Sequence, residues 1–348
     1  MKKLSFLLLV IVLVSASCSK KRYVTMNTLR PAEISLPKDI NSIVIVDRSK
    51  FEKDAVNIIE GVLTGELPGQ DKAAIQHAMN SLKDNLLRSP RYRVVVATER
   101  YNGNSVTAAF PDALSWGTVN RICNQYNADA VLAFEIFDSD FIVTDGKRKV
   151  KKTVGEGDNK REVEVDEFFA QGVGNLKMGI RLYDLKGREV IDQKLFNDTN
   201  TWEAAADSKA GAVAALVDRV NATNYLSSRI ASGYAYKIAP MPVQIKRPFY
   251  SKSKKVPEVE IGSRKADVGD WQGAIDTWKK GISKAEIKEK GYLTYNIAIA
   301  YEVLGKYDNA IKWAQKSFVD YGLKDARDYV RQLENRKRQE QQVDNQLN

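Results

Sequence analysis

The sequence predicts an α/β (or α+β) mixed-sheet domain followed by an all-α helical-repeat domain. Three observations predict it. Short β-branched runs, SIVIVD, YRVVVAT and NADAVLAFEI, alternate with helix-like stretches over residues 42–141, the order expected of strands joined by crossover helices. Two alternating segments flank the Lys186–Gly187 pair, which reads as a hairpin. Near the C-terminus a pattern of Gly, an aromatic two later and Ala-Ile five and six later occurs twice, which reads as paired helices.

The elements follow in order. SIVIVD barely alternates, so it reads as a strand covered on both faces. Residues 50–70 hold GVLTGELPGQ and read as a long loop. Asp71 is placed to cap a helix running to about Arg88, which Ser89–Pro90 ends. A strand over 92–98, a helix over 115–126 and a strand over 130–141 come next. KRKVKKTV and KREVEVDEFF then read as two strands about a turn, an insert near 146–170. A membrane-spanning strand needs about 9–11 residues with an apolar lipid side; the charges here favour a soluble hairpin over a barrel stave. A long helix is expected over 202–230, with Ala212, Leu216, Val220 and Leu226 toward the core. Val243, Ile245 and Phe249 among prolines read as an edge strand.

The boundaries read from this pattern are a signal peptide at 1–17, a tether at 18–38, the α/β domain at 39–250 and the repeats with a capping helix at 256–342. The start, MKKLSFLLLVIVLVSASCSK, pairs two lysines with an apolar run of about a dozen residues, short for a span of about 20. Small residues and Cys18 follow it. This resembles the lipobox of bacterial lipoproteins, with Ser15 where Leu is usual. The resemblance implies that Cys18 is acylated and becomes residue one, several acyl chains giving a stable grip. With Ser19 rather than Asp after the cysteine, and Lys20, Lys21 and Arg22 rather than an acidic patch, it implies an outer-membrane lipoprotein facing the periplasm. The partners expected are the membrane through that lipid and another envelope protein or peptide; oligomeric state is open.

The formal net charge of +10 would suit nucleic acid, anionic headgroups or acidic polymers, but export argues against nucleic acid. The second cysteine, Cys123, sits on the apolar side of a helical pattern, and the only histidine, His77, lies in another helical pattern with Ile75, Ala78, Leu82 and Leu86 on one side, so a buried structural Cys123 is preferred over a Cys–His nucleophile pair. No P-loop, H-E-x-x-H, C-x-x-C or G-x-S-x-G occurs. One histidine and one further thiol cannot build a common zinc site. A carboxylate pair for glycoside hydrolysis would need only two Asp or Glu, and nothing selects one. Neither cofactor, metal nor catalytic residue is assigned, and the chain is expected not to be an enzyme.

The strand series, with NADAVLAFEI and IRLYDLKGREV as its closest marks, resembles the periplasmic α/β domain of the curli-secretion-channel family and the N-terminal domain of the Tol translocation protein, over about residues 40–235. GDWQGAIDTWKKGI (269–282) and GKYDNAIKWAQKSF (305–318) resemble tetratricopeptide repeats, whose period is about 34. The whole layout resembles an uncharacterised family of Bacteroidota lipoproteins. Repeat stacks form concave surfaces for peptides or helices. The candidate partner residues are therefore Lys265, Tyr295, Asn296 and Ile299, with Lys306 at the turn. Two repeats give little groove, so partner binding and packing on the first domain both stand open. The expected function is an interaction module or assembly factor; the alternative, by resemblance to the curli channel, is an oligomeric structural or secretion-channel component.

Overall fold

The computed structural model describes residues 21–49, 57–59, 62–64, 70–101, 109–156 and 160–348. Cys18 and the apolar leader lie outside them. Two compact units emerge: Ala32–Met241 with Gln346–Asn348, and Pro242–Asn345 with the described residues before Ala32. A mixed-sheet unit and a run of C-terminal helices are what the sequence predicts.

The sheet unit is built around β2 (Ser42–Asp47), every residue of which is buried. It pairs in parallel with β5 (Arg93–Arg100) on one side and β6 (Ala130–Val154) on the other. β6 runs antiparallel to β7 (Arg161–Asp184), and β7 antiparallel to β8 (Glu189–Ala206). Successive side chains of β2 serve two cores, as the pleat dictates. Ile43 and Ile45 join the cluster of α1 (Gln70–Leu86) and α4 (Arg219–Ile238), with Leu82, Leu86, Leu226 and Tyr234. Val44 and Val46 join Val119, Ile122 and Cys123 of α2 (Trp116–Tyr126). Ser115 caps α2 by accepting from the Thr118 amide, and Asn127 closes it in the left-handed region.

Several expectations are corrected. The third strand does not stop near residue 141: β6 is 25 residues long, about 80 Å at 3.3 Å per residue. The hairpin expected near 146–170 is present, as the far half of the longer β6–β7 pair. Within 50–70, β3 (Asn57–Ile59) pairs antiparallel with β4 (Val62–Thr64), and Leu63 reaches Val143 of β6; the rest of that loop lies outside the described residues. α1 starts at Gln70, so Asp71 falls inside its first turn. The β7–β8 turn spans four residues, with Asp184 paired to Glu189 and Arg188 at φ +50°. The expected helix over 202–230 is three pieces. β8 continues to Ala206 because its ladder places Trp202 opposite Gly172. α3 (Lys209–Ala215) follows, and α4 restarts where Asp218 accepts from the Asn221 amide. Val220, expected inside, is exposed.

The helical unit contains two antiparallel hairpins and a long last helix: α5 (Pro257–Asp267) with α6 (Trp271–Ile282), α7 (Ile287–Val303) with α8 (Tyr307–Val319), and α9 (Lys324–Leu347). Gly269 and Gly305 make the intra-hairpin turns at φ +81° and +69°, a region glycine enters without strain. Ala274 and Ala310 are fully buried, where the repeat pattern puts them. Gly262 meets the Trp278 ring so closely that a Cβ there would lie 2.2 Å from Nε1. The unit also holds a two-stranded ribbon, β1 (Lys21–Arg30) with β9 (Met241–Tyr250). Residues 21–30 of the expected tether are therefore a strand, and the expected edge strand pairs with β1 rather than joining the main sheet.

Candidate functional site

The face expected to receive a partner is already occupied. Tyr295, Asn296 and Ile299 of α7 are 4%, 0% and 0% exposed: Tyr250 of β9 packs on the first two, and Ile299 lies in the core of the helical unit. The Asn296 amide takes the place of a neighbouring strand: Oδ1 accepts from the Tyr250 N–H at 2.8 Å and Nδ2 donates to the Tyr250 carbonyl at 2.7 Å. The Tyr250 ring stacks on Tyr292 at 3.8 Å between centroids and meets Tyr295 edge-on at 5.8 Å. Phe249 packs on Trp271 and Trp278. Arg247 forks onto Glu302 at 2.9 and 3.0 Å, and the Tyr329 hydroxyl donates to the same carboxylate at 2.6 Å. β1 adds Lys21 on Asp325 at 2.5 Å, Arg22 on Asp267, and Thr28 on Arg336. The Lys21 ammonium and then the Tyr250 hydroxyl hold the Asp325 carboxyl below its ordinary range, against the opposing effect of burial.

The five predicted residues therefore do not form one surface. Lys265 is partly exposed, donates to the Gly273 carbonyl at 3.4 Å and steadies the α5–α6 turn beside Asp270. Only Lys306 stays open. It lines a shallow groove of about 400 Å³ with Tyr307, Asp308, Lys337, Glu340 and Asp344.

A polar cluster that the sequence reading missed lies in the sheet unit, at the carboxyl ends of β2 and β5 beside β6. This is where open α/β sheets usually bind ligands. Arg48 reaches both Glu135 oxygens at 2.7 and 2.6 Å. The Tyr183 hydroxyl donates to Glu135 at 2.8 Å, and Arg181 completes the set at 3.3 Å. Burial pushes the Glu135 carboxyl above its ordinary range, with Arg48, Tyr183 and Arg181 pulling the other way. The guanidiniums also take the carbonyls of Pro111 and Asp112, and the Leu114 amide donates to Tyr183. The cluster thus clamps residues 111–114 to the sheet. Its signal was a charge interrupting each apolar run: Arg48 after SIVIVD, Glu135 inside VLAFEIF, Arg181 inside GIRLYD.

Cys123 is 1% exposed, and burial pushes its thiol up to about 12. His77 pairs with Ser228 at 3.0 Å, on the helix layer across the sheet from Cys123. Among the described residues no group of His, Cys, Asp and Glu could hold a metal ion. No described helix is long and apolar enough to cross a membrane.

The remaining feature is the far end of the β6–β7 hairpin. β8 leaves β7 at Phe168, opposite Ala206, and the last described partner of β6 on its other side is at Val143. Residues 147–154 and 161–167 thus form a two-stranded arm with an open edge on each side among the described residues. Its two faces differ. Lys149 faces Asp166 across the ladder, and Lys151 faces Glu164. On the opposite face Val150 meets Val165 between the Arg148–Glu167 pair and Lys152, which lies opposite Val163, with Val154 opposite Arg161. Lys147–Asp166 at 2.7 Å and Arg148–Glu167 at 2.9 Å tie the strands together. Basic side chains belong to β6 and acidic ones, apart from Arg161, to β7.

The molecule is thus a mixed-sheet protein with a projecting hairpin and a C-terminal helical-repeat unit. Residues 40–250 match the family described as Domain of unknown function (DUF8603), and residues 260–335 match Domain of unknown function (DUF6340). The chain belongs to the DUF8603 family. No curated protein matches the sequence. Among solved structures it is similar to the PelC dodecamer from Paraburkholderia phytofirmans, at 12% identity and TM-score 0.25, covering 62% of this chain and 99% of that one. It is also similar to a putative neuraminyllactose-binding hemagglutinin homolog from Helicobacter pylori, at 14% identity and TM-score 0.27, covering 58% and 88%.

Proposed function

We propose that the protein is a non-enzymatic envelope lipoprotein, held at the outer membrane by acylated Cys18 and facing the periplasm. It acts as an interaction module or assembly factor. The observation that carries this reading is the arm. A two-stranded ribbon without a third strand is marginal in water, and open strand edges are sites where other chains add. The inner face of the repeats supports β9, so contacts with other molecules pass to the arm and to the open groove at Lys306.

The experiment is crosslinking and affinity capture of the full-length lipidated chain from membranes, beside a variant whose residues 147–168 are replaced by a two-residue Asn-Gly turn. Loss of the crosslinked species in an otherwise folded variant is expected. An unchanged set of crosslinked species would remove the arm from the function. Cys18→Ser is expected to release the protein from the membrane fraction, and persistence there would refute the lipid anchor.

The alternative is an oligomeric structural component of the envelope. The opposite charge of the two arm edges favours it.

A further inference from the structure

We propose that the partner of the arm is a second copy of this chain, added head to tail: the basic outer edge of β6 in one copy pairs with the acidic outer edge of β7 in the next. The inference rests on the arm being the contact element.

The charges decide between protection and attraction. Lysines on an edge strand ordinarily keep copies apart. That device needs one sign on both edges, so that every approach repels. Here β6 carries Lys147, Arg148, Lys149, Lys151 and Lys152 with no acid between them, while β7 carries Glu162, Glu164, Asp166 and Glu167; inside the arm Lys147 leans on Asp166, Lys151 on Glu162, and Arg148 and Lys152 on Glu167, Arg148 also reaching Glu203 of β8. Two β6 edges repel, and so do two β7 edges. Only the unlike pair attracts.

The hairpin itself shows that such a pair fits. Within one chain these strands already run antiparallel with Lys149 opposite Asp166 and Lys151 opposite Glu164, and the Lys147–Asp166 and Arg148–Glu167 ion pairs tie them together. The next copy repeats that ladder on the open side, and its valines add to the Val150–Val165 pair. Joining two different edges makes a heterologous contact, which propagates until a rotation closes it. A single junction of seven or eight residues is weak, and membrane confinement raises the effective concentration at which it acts.

The test is a sign reversal. In the variant, Lys147, Lys149 and Lys151 become Glu while Glu162, Glu164 and Asp166 become Lys, so the pairing inside each arm is kept. Wild-type and reversed full-length lipidated chains, labelled separately, are placed in phosphatidylethanolamine–phosphatidylglycerol vesicles, and energy transfer between copies is read. Each is expected to associate with itself. Mixed pairs are expected to fall at least tenfold, since like charges placed side by side cost several kcal/mol. A thermal melt establishes that the reversed chain is folded. Wild-type association, read alone, is expected to weaken at about 1 M salt, where the screening length is ~3 Å. Free mixing of the two versions, or wild-type copies that never associate, would overturn the proposal. If copies do not associate while deletion of the arm still removes crosslinked species from cells, the arm is a contact for another molecule and only the identity of the partner is wrong.

Discussion

Asn296 separates a structural role from a binding one, and Asn296→Leu tests which it has. The side chain is 0% exposed and makes two hydrogen bonds to one residue, Tyr250, at 2.8 and 2.7 Å. Leucine is close in size but can neither accept nor donate, so a buried N–H and a buried carbonyl are left without partners. Each stranded group costs about 1–3 kcal/mol, and the added apolar burial returns part of that, for a net loss of about 3 kcal/mol. That is roughly a hundredfold in the folding equilibrium and about 10 °C in melting temperature for a unit of this size. Asn296→Ala is the control, because the space it leaves admits water to both groups and softens the loss. Urea unfolding followed by tyrosine fluorescence, with amide exchange at Tyr250, reads the effect. A change below about 1 kcal/mol, or an unaltered exchange rate at Tyr250, would refute the claim that this amide holds β9 in place.

Three further outcomes follow from the same geometry. Arg48→Met leaves Glu135 buried with one guanidinium fewer, and is expected to cost about 3 kcal/mol in urea unfolding. Gly262→Ala drives a methyl group into the Trp278 indole and is expected to lose about 1–3 kcal/mol, read as a lower melting temperature; wild-type stability would show that α5 shifts freely. The Asp325 carboxyl is held low by Lys21, so the folded chain binds fewer protons than the unfolded one across the window below the ordinary value of about 3.9. Its contribution is complete above that value and is lost as pH falls through the depressed one. Amide exchange in β1 is expected to accelerate there, and Asp325→Asn to be equally fast at neutral pH.

What was legible in the sequence was local. SIVIVD reads as a doubly covered strand and is one, and the Gly-aromatic-Ala-Ile spacing marks the turn and the second helix of each helical hairpin. What was missed depended on partners far along the chain. KRYVTMNTLR is polar enough to pass for a tether, and becomes a strand because residues 241–250 pair with it. TWEAAA favours a helix by composition, yet its ladder with β7 holds it extended, as packing commonly overrides propensity. The lysines of KRKVKK hid the continuation of β6, since their partners sit on the opposite strand. Tyr295, Asn296 and Ile299 sit in a helix that is buried nearly all round, and the contacts that fill it, Tyr250 on Asn296 among them, come from far along the chain.

The early start of β1 limits where the helical unit can sit. On the proposed acylation of Cys18, two residues separate the anchor from Lys21, the first residue of β1, and three peptide steps span at most about 11 Å. A leash of twenty residues would let the unit roam most of the way across an envelope gap; with that acylation, this one would hold the start of β1 beside the headgroups. Lateral diffusion in two dimensions, rather than reach, then governs which molecules it meets.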